Sequence, residues 1–459
     1  MGHILRLTVM LGLIVAVQAK SNTYRPQFYA KEAFEYRVEF QHILKTDFTT
    51  LSQIHQLSAM ERKILEARTL SEVLRYFMGP LAHRFLGGVR DYDELKLNFD
   101  AAWVDQDKSG FVMIPYRVRG RWVLRGRQDK IELPLPYRVA DLRTPGWLRC
   151  GSDDPEYQGL EMLWYFWDPL REGCDHQDKR EYGNVVVQLK LLPTLTTDTR
   201  PEYERLIRQG KSGPLLPMTL AFGYVHAPQM PDPETDMDQG AIEYRHFIAW
   251  VENNNDDLAK TPILAKEVES NLPPEQVVGW VFRGLRQGVN VELRVVMAAG
   301  LEQMRFFADS FTRRHDSFFA WFGHSRLGEG FDARIFRILL FDPNQKLSIT
   351  NNYQLVYWGG CNSYSYYTDP FFNLKAEYSK GQDPQGTKNL DLISNGLATY
   401  FNLNNLNAQT LVAAIFKSLF ADQGPVGYRQ IVDQMESHGE ALARPIIVNV
   451  LGDGDNPRE

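Results

Sequence analysis

The spacing of hydrophobic and polar residues changes along the chain and divides it into two regions. Between residues 30 and 80 the apolar side chains recur at helical spacing, which predicts helices over 53–67 and 69–77. Further along, short runs rich in Val, Ile and Tyr are broken by Gly and Pro, which predicts strands at 111–116, 121–126, 130–133 and 184–191. We therefore expect residues 20–190 to form a mixed α+β domain with a small antiparallel sheet.

After residue 215 the pattern alternates between strands and helices. It predicts strands at 218–225, 291–298, 317–322, 353–358, 389–393 and 446–450. It predicts helices between them at 241–253, 276–287, 301–311, 408–420 and 427–437. Such alternation is typical of an α/β domain with a mostly parallel sheet and helices on both faces, which we expect over 215–459. Sites in these sheets lie beyond the carboxyl ends of the strands.

The first 19 residues, MGHILRLTVMLGLIVAVQA, are typical of an export signal. Arg6 precedes an apolar run, and Ala19 ends a small-residue cleavage site. An uncleaved membrane anchor is the alternative, but the run is too short to cross about 30 Å of hydrocarbon as a helix. No asparagine lies in an Asn-x-Ser/Thr sequence, which favours a bacterial protein. We expect a periplasmic or secreted protein without a transmembrane segment in the mature chain.

Composition and charge exclude several classes of protein. The chain is 44% hydrophobic and 24% charged, which is ordinary for a globular protein and excludes a disordered chain, a collagen-like fibre and a coiled coil. Lys and Arg number 51 against 57 Asp and Glu, so the formal net charge is -6. A nucleic-acid partner is not expected, because such proteins carry a basic patch or stripe.

The sequence contains three cysteines, for which we predict different roles. Cys150 and Cys174 flank a segment rich in turn residues and aromatics, and an exported protein meets oxidising conditions, so we predict a disulfide between them. The alternative makes Cys174, Asp175 and His176 metal ligands, but this spacing is not that of a zinc site, and we predict no metal. Cys361 is left unpaired, which in an exported protein indicates a reactive thiol.

Cys361 and His324 stand at the ends of two consecutive apolar strands. The sequence YQLVYWGGC places Cys361 after Gly359 and Gly360, and SFFAWFGHS places His324 after Gly323. A cysteine nucleophile needs a base to form the thiolate, and histidine is the usual one. Both residues also have a simpler interpretation, as a buried structural cysteine and a solvated loop histidine. Their paired placement favours one site at one sheet edge.

This arrangement resembles the caspase–haemoglobinase fold of cysteine peptidases, with gingipains and clostripains as the most similar members, over about residues 215–459. In that group His follows one strand of a parallel sheet and Cys follows the next, and these positions correspond to His324 and Cys361. The final VNVLGDGDNP is similar to the turn that closes the gingipain catalytic domain. Two departures are Ser325, where Gly is usual after His, and Gly360, where Ala is usual before Cys.

The resemblance implies an exported cysteine endopeptidase that cleaves a protein or peptide substrate without a cofactor. Cys361 is then the nucleophile and His324 the general base. Backbone N–H groups of Cys361, next to Gly360, and of the Gly323–Ser325 turn would form the oxyanion hole. Asn395 and Asp391, on a neighbouring strand, are expected to shape the pocket. The alternative function is a non-catalytic periplasmic binding or scaffold protein that retains the caspase-like fold.

The predicted export signal determines which residue begins the mature protein. Cleavage after Ala19 makes Lys20 the first residue of the exported protein, because the apolar run ends in a small-residue site at this point. Mass spectrometry of the protein recovered from outside the cytoplasm measures this directly. Recovery of exported protein that still begins at Met1 would contradict the prediction.

Overall fold

A computed structural model of the chain describes residues 28–105, 110–138, 150, 167–172, 174, 182–193, 199–225, 232–267, 273–299, 306–325, 348–397, 399–452 and 456–458. The chain divides into two compact units. The first contains Phe34–Leu192, and the second contains Arg25–Ala33 together with Pro193–Glu459. The proposed export signal at 1–19 lies outside the described residues.

The first unit is built on a six-stranded sheet. Its strands are β2 (Ala33–Lys45), β3 (Gly87–Leu97), β4 (Trp103–Val104), β5 (Val112–Arg125), β6 (Lys130–Pro136) and β7 (Tyr182–Leu191). The strand order is β3-β5-β2-β7-β6, and β4 pairs with β5. The pairs β3–β5, β4–β5, β2–β7 and β6–β7 are antiparallel. Its helices are α1 (Leu51–His55), α2 (Ala59–Tyr76) and α3 (Met78–Phe85).

Alternating side chains explain how this sheet forms a core. Along β2 nearly every second residue is buried, as a strand with one face on a core requires. Helices α2 and α3 pack against β3 and β6 and cover this face. Burying large apolar side chains is the main source of stability in such a unit. Large side chains in its core include Tyr36, Phe40, Phe77, Tyr116 and Trp122.

The second unit is built on a ten-stranded sheet. Its strands are β1 (Phe28–Tyr29), β8 (Arg208–Gly210), β9 (Gly213–Gly223), β10 (Ala259–Leu264), β11 (Val277–Arg286), β12 (Val289–Ala298), β13 (Phe318–Phe322), β14 (Gln354–Trp358), β15 (Leu390–Asn395) and β16 (Val448–Leu451). The order is β1-β16-β15-β14-β13-β9-β12-β11-β10, and β8 pairs with β9.

The predicted fold class is wrong, because the sheet of the second unit is mixed and not mostly parallel. Its central strands β12, β9, β13, β14 and β15 are parallel neighbours. Antiparallel pairing takes over on both sides, at β10–β11–β12 and at β15–β16–β1, and β8–β9 is antiparallel as well. In the sheet of the first unit, the pairs β3–β5, β4–β5, β2–β7 and β6–β7 are antiparallel. Hydrophobic periodicity marks a strand but not its direction, which is why the expectation failed.

Val277–Arg286 form strand β11, where the sequence predicted a helix over 276–287. Strand β11 alternates irregularly between buried and exposed positions, and this spacing fits both kinds of element. The deciding feature is the turn that follows, where Gln287 (φ 46°) and Gly288 (φ 80°) both adopt the left-handed region. Such a two-residue turn matches the twist of paired strands and joins β11 to β12 as a hairpin.

Helices of the second unit pack against defined strands. They are α4 (Tyr203–Leu206), α5 (Gln239–Asn254), α6 (Ser363–Tyr378), α7 (Asn404–Phe420) and α8 (Tyr428–Ala441), with a π-helical turn at Asp309–Arg313. Helix α5 contacts β9 and β12, α6 contacts β14 and β15, and α8 contacts β16. The sequence analysis missed α6, whose interior contains Pro370 and whose aromatic residues show no clear helical period. No described helix is long and apolar enough to cross a membrane.

His42 of the first unit makes its stability depend on pH. The ring is buried, stacks on Tyr137 at 4.9 Å between ring centres, and its Nε2 lies 3.1 Å from the Leu135 carbonyl. Burial lowers the pKa of His42 to about 4. The ring therefore stays neutral in the folded protein, while the unfolded chain takes up a proton near the ordinary histidine pKa of about 6.5.

We expect the first unit to lose stability as pH falls from about 6.5 towards 4, by up to about 3 kcal/mol from His42. The stability is fully present above the unfolded pKa, because both states are then neutral. The variant His42→Gln should show a smaller loss than the wild type, and His55→Gln, which removes an exposed histidine, should behave as the wild type. Denaturant unfolding across this pH range is the measurement, and equal slopes in all three proteins would contradict the prediction.

Candidate functional site

Two neighbouring parallel strands end at the same edge of the sheet in the second unit. Strands β13 and β14 pair in register, with Phe318 opposite Leu355 and Trp321 opposite Trp358. His324 follows the end of β13 by two residues, and Cys361 follows the end of β14 by three. Because the strands run in the same direction, their carboxyl ends carry both residues to one edge.

Glycines bring the two turns into contact. The Gly359 N–H donates to the Trp321 carbonyl at 2.6 Å, which extends the pairing of the strands into the turn. A Cβ added to Gly360 would lie 3.1 Å from the Gly323 oxygen and 3.2 Å from the Ser325 nitrogen. The turn before Cys361 therefore lies directly against the turn that contains His324. The structure thus places together five predicted site residues, Gly323, His324, Ser325, Gly360 and Cys361.

The His324 ring is oriented by a backbone carbonyl. Its Nε2 lies 3.0 Å from the oxygen of Val225, which follows the end of β9. A carbonyl oxygen only accepts hydrogen bonds, so Nε2 carries the proton and Nδ1 of the neutral ring is the basic nitrogen. The edge of Phe401 packs against the ring at 5.1 Å between centres. Burial on these sides leaves the imidazole half-buried.

Asp238 fixes the position of the Val225 carbonyl. Both oxygens of its carboxylate accept from the Val225 N–H, at 3.0 and 2.9 Å. The same carboxylate accepts from the Gly240 N–H at 2.7 Å and caps the amino end of α5. Helix α5, strand β9 and the imidazole are therefore linked through one carboxylate. The sequence analysis missed Val225, because no side-chain pattern indicates which carbonyl a histidine will contact.

Cys361 is held in its protonated form. Its Sγ donates a hydrogen bond to the Thr399 carbonyl at 3.4 Å. Burial raises the pKa of the Cys361 thiol, although the residue keeps part of its surface exposed. In the described part of the chain, the Thr399 carbonyl and not the imidazole is the hydrogen-bond acceptor of Sγ. The thiol of this structure is therefore neutral.

Strand β15 and the start of α6 brace the cysteine turn. The Ser363 hydroxyl donates to the Trp358 carbonyl at 2.6 Å and accepts from the Asn395 N–H at 2.8 Å. Asn362 adopts the left-handed region at φ 49°, and helix α6 begins immediately after it. A helix amino end so close to the thiol favours the thiolate electrostatically.

Asn395, the last residue of β15, also lies at this edge through its N–H bond to Ser363, whereas the remaining predicted residues lie apart from it. Asp391 stands at the opposite end of β15 from Asn395, where its buried carboxylate accepts from Tyr353 at 2.6 Å, from Asn456 at 2.7 Å and from Tyr428. The disulfide between Cys150 and Cys174 is confirmed, within the first unit. It packs with Trp167 and Tyr182 in a small buried cluster.

The metal alternative involved Asp175 and His176, which lie outside the described residues. Elsewhere, the described chain has no group of three or more His, Cys, Asp or Glu side chains arranged to hold a metal. Comparison with protein-family models, curated proteins and solved structures found no match.

The contact between the two turns generates a stability prediction. A Cβ on Gly359 would lie 2.7 Å from the Trp321 carbonyl oxygen, where neither backbone can yield without breaking the β13–β14 pairing. We expect Gly359→Ala to destabilise the protein by about 1–3 kcal/mol. The control is Gly424→Ala, where no atom lies within 4 Å of the added Cβ. Thermal unfolding measures both variants, and an unchanged midpoint for Gly359→Ala would contradict the turn geometry.

Proposed function

We propose that the protein is an exported cysteine endopeptidase in which Cys361 is the nucleophile and His324 the general base. One observation carries the proposal: two abutting glycine turns hold a thiol and an imidazole, and the imidazole is already oriented by the Val225 carbonyl. A nucleophile, a base and a group that orients the base are the three parts of nucleophilic catalysis. The resemblance to the caspase–haemoglobinase cysteine peptidases supports the same assignment.

The chemistry follows from the protonation states at this edge. On substrate binding, Nδ1 of His324 takes the proton from Cys361 Sγ, and the thiolate attacks the carbonyl carbon of the scissile peptide bond. Negative charge collects on the carbonyl oxygen, where the N–H of Cys361 and those of the Gly323–Ser325 turn would stabilise it. The imidazolium then gives its proton to the departing amine nitrogen, which leaves a thioester on Cys361.

Hydrolysis of the thioester completes the cycle. His324 takes a proton from a water molecule, the resulting hydroxide attacks the thioester carbonyl, and the carboxylic acid product leaves as Sγ recovers a proton. Throughout, the Nε2–H donated to Val225 keeps the ring in one orientation and stabilises the imidazolium. The hydrogen bond from Sγ to the Thr399 carbonyl must break before the first step, because a thiolate cannot donate it.

A second candidate is a non-catalytic exported binding or scaffold protein. The observation in its favour is the neutral thiol. Burial raises the pKa of Cys361, and its Sγ donates a hydrogen bond to the Thr399 carbonyl. In such a protein Cys361 would be a structural residue and His324 a residue that stabilises the Phe401 contact. The two candidates differ in the reactivity of the native thiol.

We expect the native protein to hydrolyse peptides, and Cys361→Ala to abolish this activity without unfolding the protein. His324→Ala should reduce the rate by on the order of 10² or more, the usual scale for a lost general base. The matched control is His438→Ala, which removes another half-buried histidine of the second unit. Cleavage of a mixed peptide library, followed by mass spectrometry, measures the activity.

Alkylation of the thiol separates the two candidates independently of the substrate. A Cys-directed probe should label native wild-type protein at Cys361, and His324→Ala should slow this reaction at neutral pH because the base is gone. Labelling only after denaturation, or equal native labelling rates in the wild type and His324→Ala, would contradict the peptidase and favour the scaffold.

A further inference from the structure

The amino edge of the same sheet, opposite to the candidate peptidase site, contains a cluster of basic side chains. Strand β8 pairs antiparallel with β9, with Arg208 opposite Leu215. At Leu215, strand β12 pairs with one edge of β9 through Asn290, so β8 pairs with the other edge. From Met218 onward, that other edge of β9 pairs with β13. Arg208 therefore lies next to the residues that lead into β13.

Arg208 presents an unsatisfied hydrogen-bonding edge. Its Nε and Nη2 are buried from solvent and have no hydrogen-bond partner in the described part of the chain. These two nitrogens form the planar fork that matches two oxygens of an oxyanion. Buried donors without acceptors are rare in proteins, because each costs on the order of 1–3 kcal/mol. Two buried nitrogens without acceptors therefore indicate that Arg208 could bind a ligand.

His315 and Lys375 complete the cluster around Phe311. His315 precedes β13 in the left-handed region at φ 53°, bonds to the Phe311 backbone, and has a buried Nδ1 without a partner among the described residues. Lys375 of α6 is 2% exposed, and its Nζ lies 5.3 Å from the centre of the Phe311 ring. Two of its three N–H groups donate to the Thr350 and Asn352 carbonyls, at 2.8 and 3.1 Å.

Two carboxylates face this cluster and have partners of their own. Asp316 faces Arg208 and His315. Its Oδ2 accepts from Thr219 at 2.6 Å, while its Oδ1 lies 3.4 Å from Arg314 Nε and accepts no hydrogen bond among the described residues. Asp383 faces Lys375, and its oxygens accept from two backbone N–H groups of the turn at Thr387 and Lys388. A further cation, Arg205, also faces Lys375.

Both cations of the cluster are held at an electrostatic cost. Burial, followed by repulsion from Arg208, keeps the pKa of Lys375 well below its usual range. Burial also lowers the pKa of Arg208 to about 10. An anion between the two side chains would compensate for the hydration that burial removes from their charged groups.

We propose that Arg208, His315 and Lys375 form a binding site for a small oxyanion of the phosphate class. The Nε–Nη2 edge of Arg208 would hold two oxygens, and the third N–H of Lys375 a further one. Neutral His315 donates to the Phe311 backbone, so its Nδ1 accepts, and a phosphate hydroxyl is the group that can donate to it. Arg208 and His315 are half-buried, so part of each residue faces solvent. The site does not depend on the proposed peptidase activity.

Thermal unfolding of the full chain with increasing inorganic phosphate, at constant ionic strength, tests this site. A specific site raises the midpoint in a saturable manner, because the ion binds only the folded state. We expect Arg208→Gln to abolish the saturable rise and, without phosphate, to be at least as stable as the wild type. The matched control is Arg283→Gln, which removes an exposed arginine of β11 and should keep the rise.

Two further anions identify the chemistry of the ligand. Sulfate carries no hydroxyl at about pH 7 to donate to Nδ1, so it should bind several-fold more weakly than phosphate, and acetate more weakly still. Equal binding of sulfate and phosphate would overturn the role assigned to His315. A rise that is linear in salt, or one that persists in Arg208→Gln, would overturn the site itself, since it would report general exclusion of salt or a different location.

Discussion

The candidate site of this protein depends on the parallel pairing of β13 with β14. In this register Trp321 lies beside Trp358, and the Gly359 N–H continues the hydrogen-bonding pattern to the Trp321 carbonyl. Because both strands leave the sheet in the same direction, residues far apart in sequence meet at one edge. The space between the turns admits no side chain at Gly359, so the glycines are required by the close approach of the two backbones.

The imidazole of His324 and the thiol of Cys361 differ in how the surrounding backbone holds them. The imidazole has its orientation and tautomer set by the Val225 carbonyl, which is itself held by Asp238. The thiol is neutral and donates a hydrogen bond to the Thr399 carbonyl. In the proposed peptidase, the imidazole would already be oriented as the base, and the thiolate would form only after the hydrogen bond to Thr399 breaks. The amino end of α6 lowers the cost of that step.

The two edges of this sheet have different electrostatic character. Cysteine, histidine and backbone carbonyls lie at the carboxyl edge, whereas the amino edge contains buried Lys375 and the buried Nε and Nη2 of Arg208. A buried cation is tolerated only where hydrogen bonds or an opposite charge replace its hydration. Lys375 obtains two carbonyls, and the Nε–Nη2 edge of Arg208 obtains no protein acceptor among the described residues. This difference between two neighbouring cations is the basis of the proposed phosphate site.

Elements with strong local signals could be predicted from the amino-acid sequence. Strands β13 and β14 lie where apolar runs end in glycine, and the Cys150–Cys174 disulfide follows from two cysteines around one segment. The tertiary structure alone decided that β11 is a strand, that the sheet is mixed, that α6 continues through Pro370, and that Val225 and Thr399 contact the imidazole and the thiol. Local periodicity records which side of a segment is buried. Strand direction and the placement of a carbonyl depend on contacts between distant segments, and no local pattern contains them.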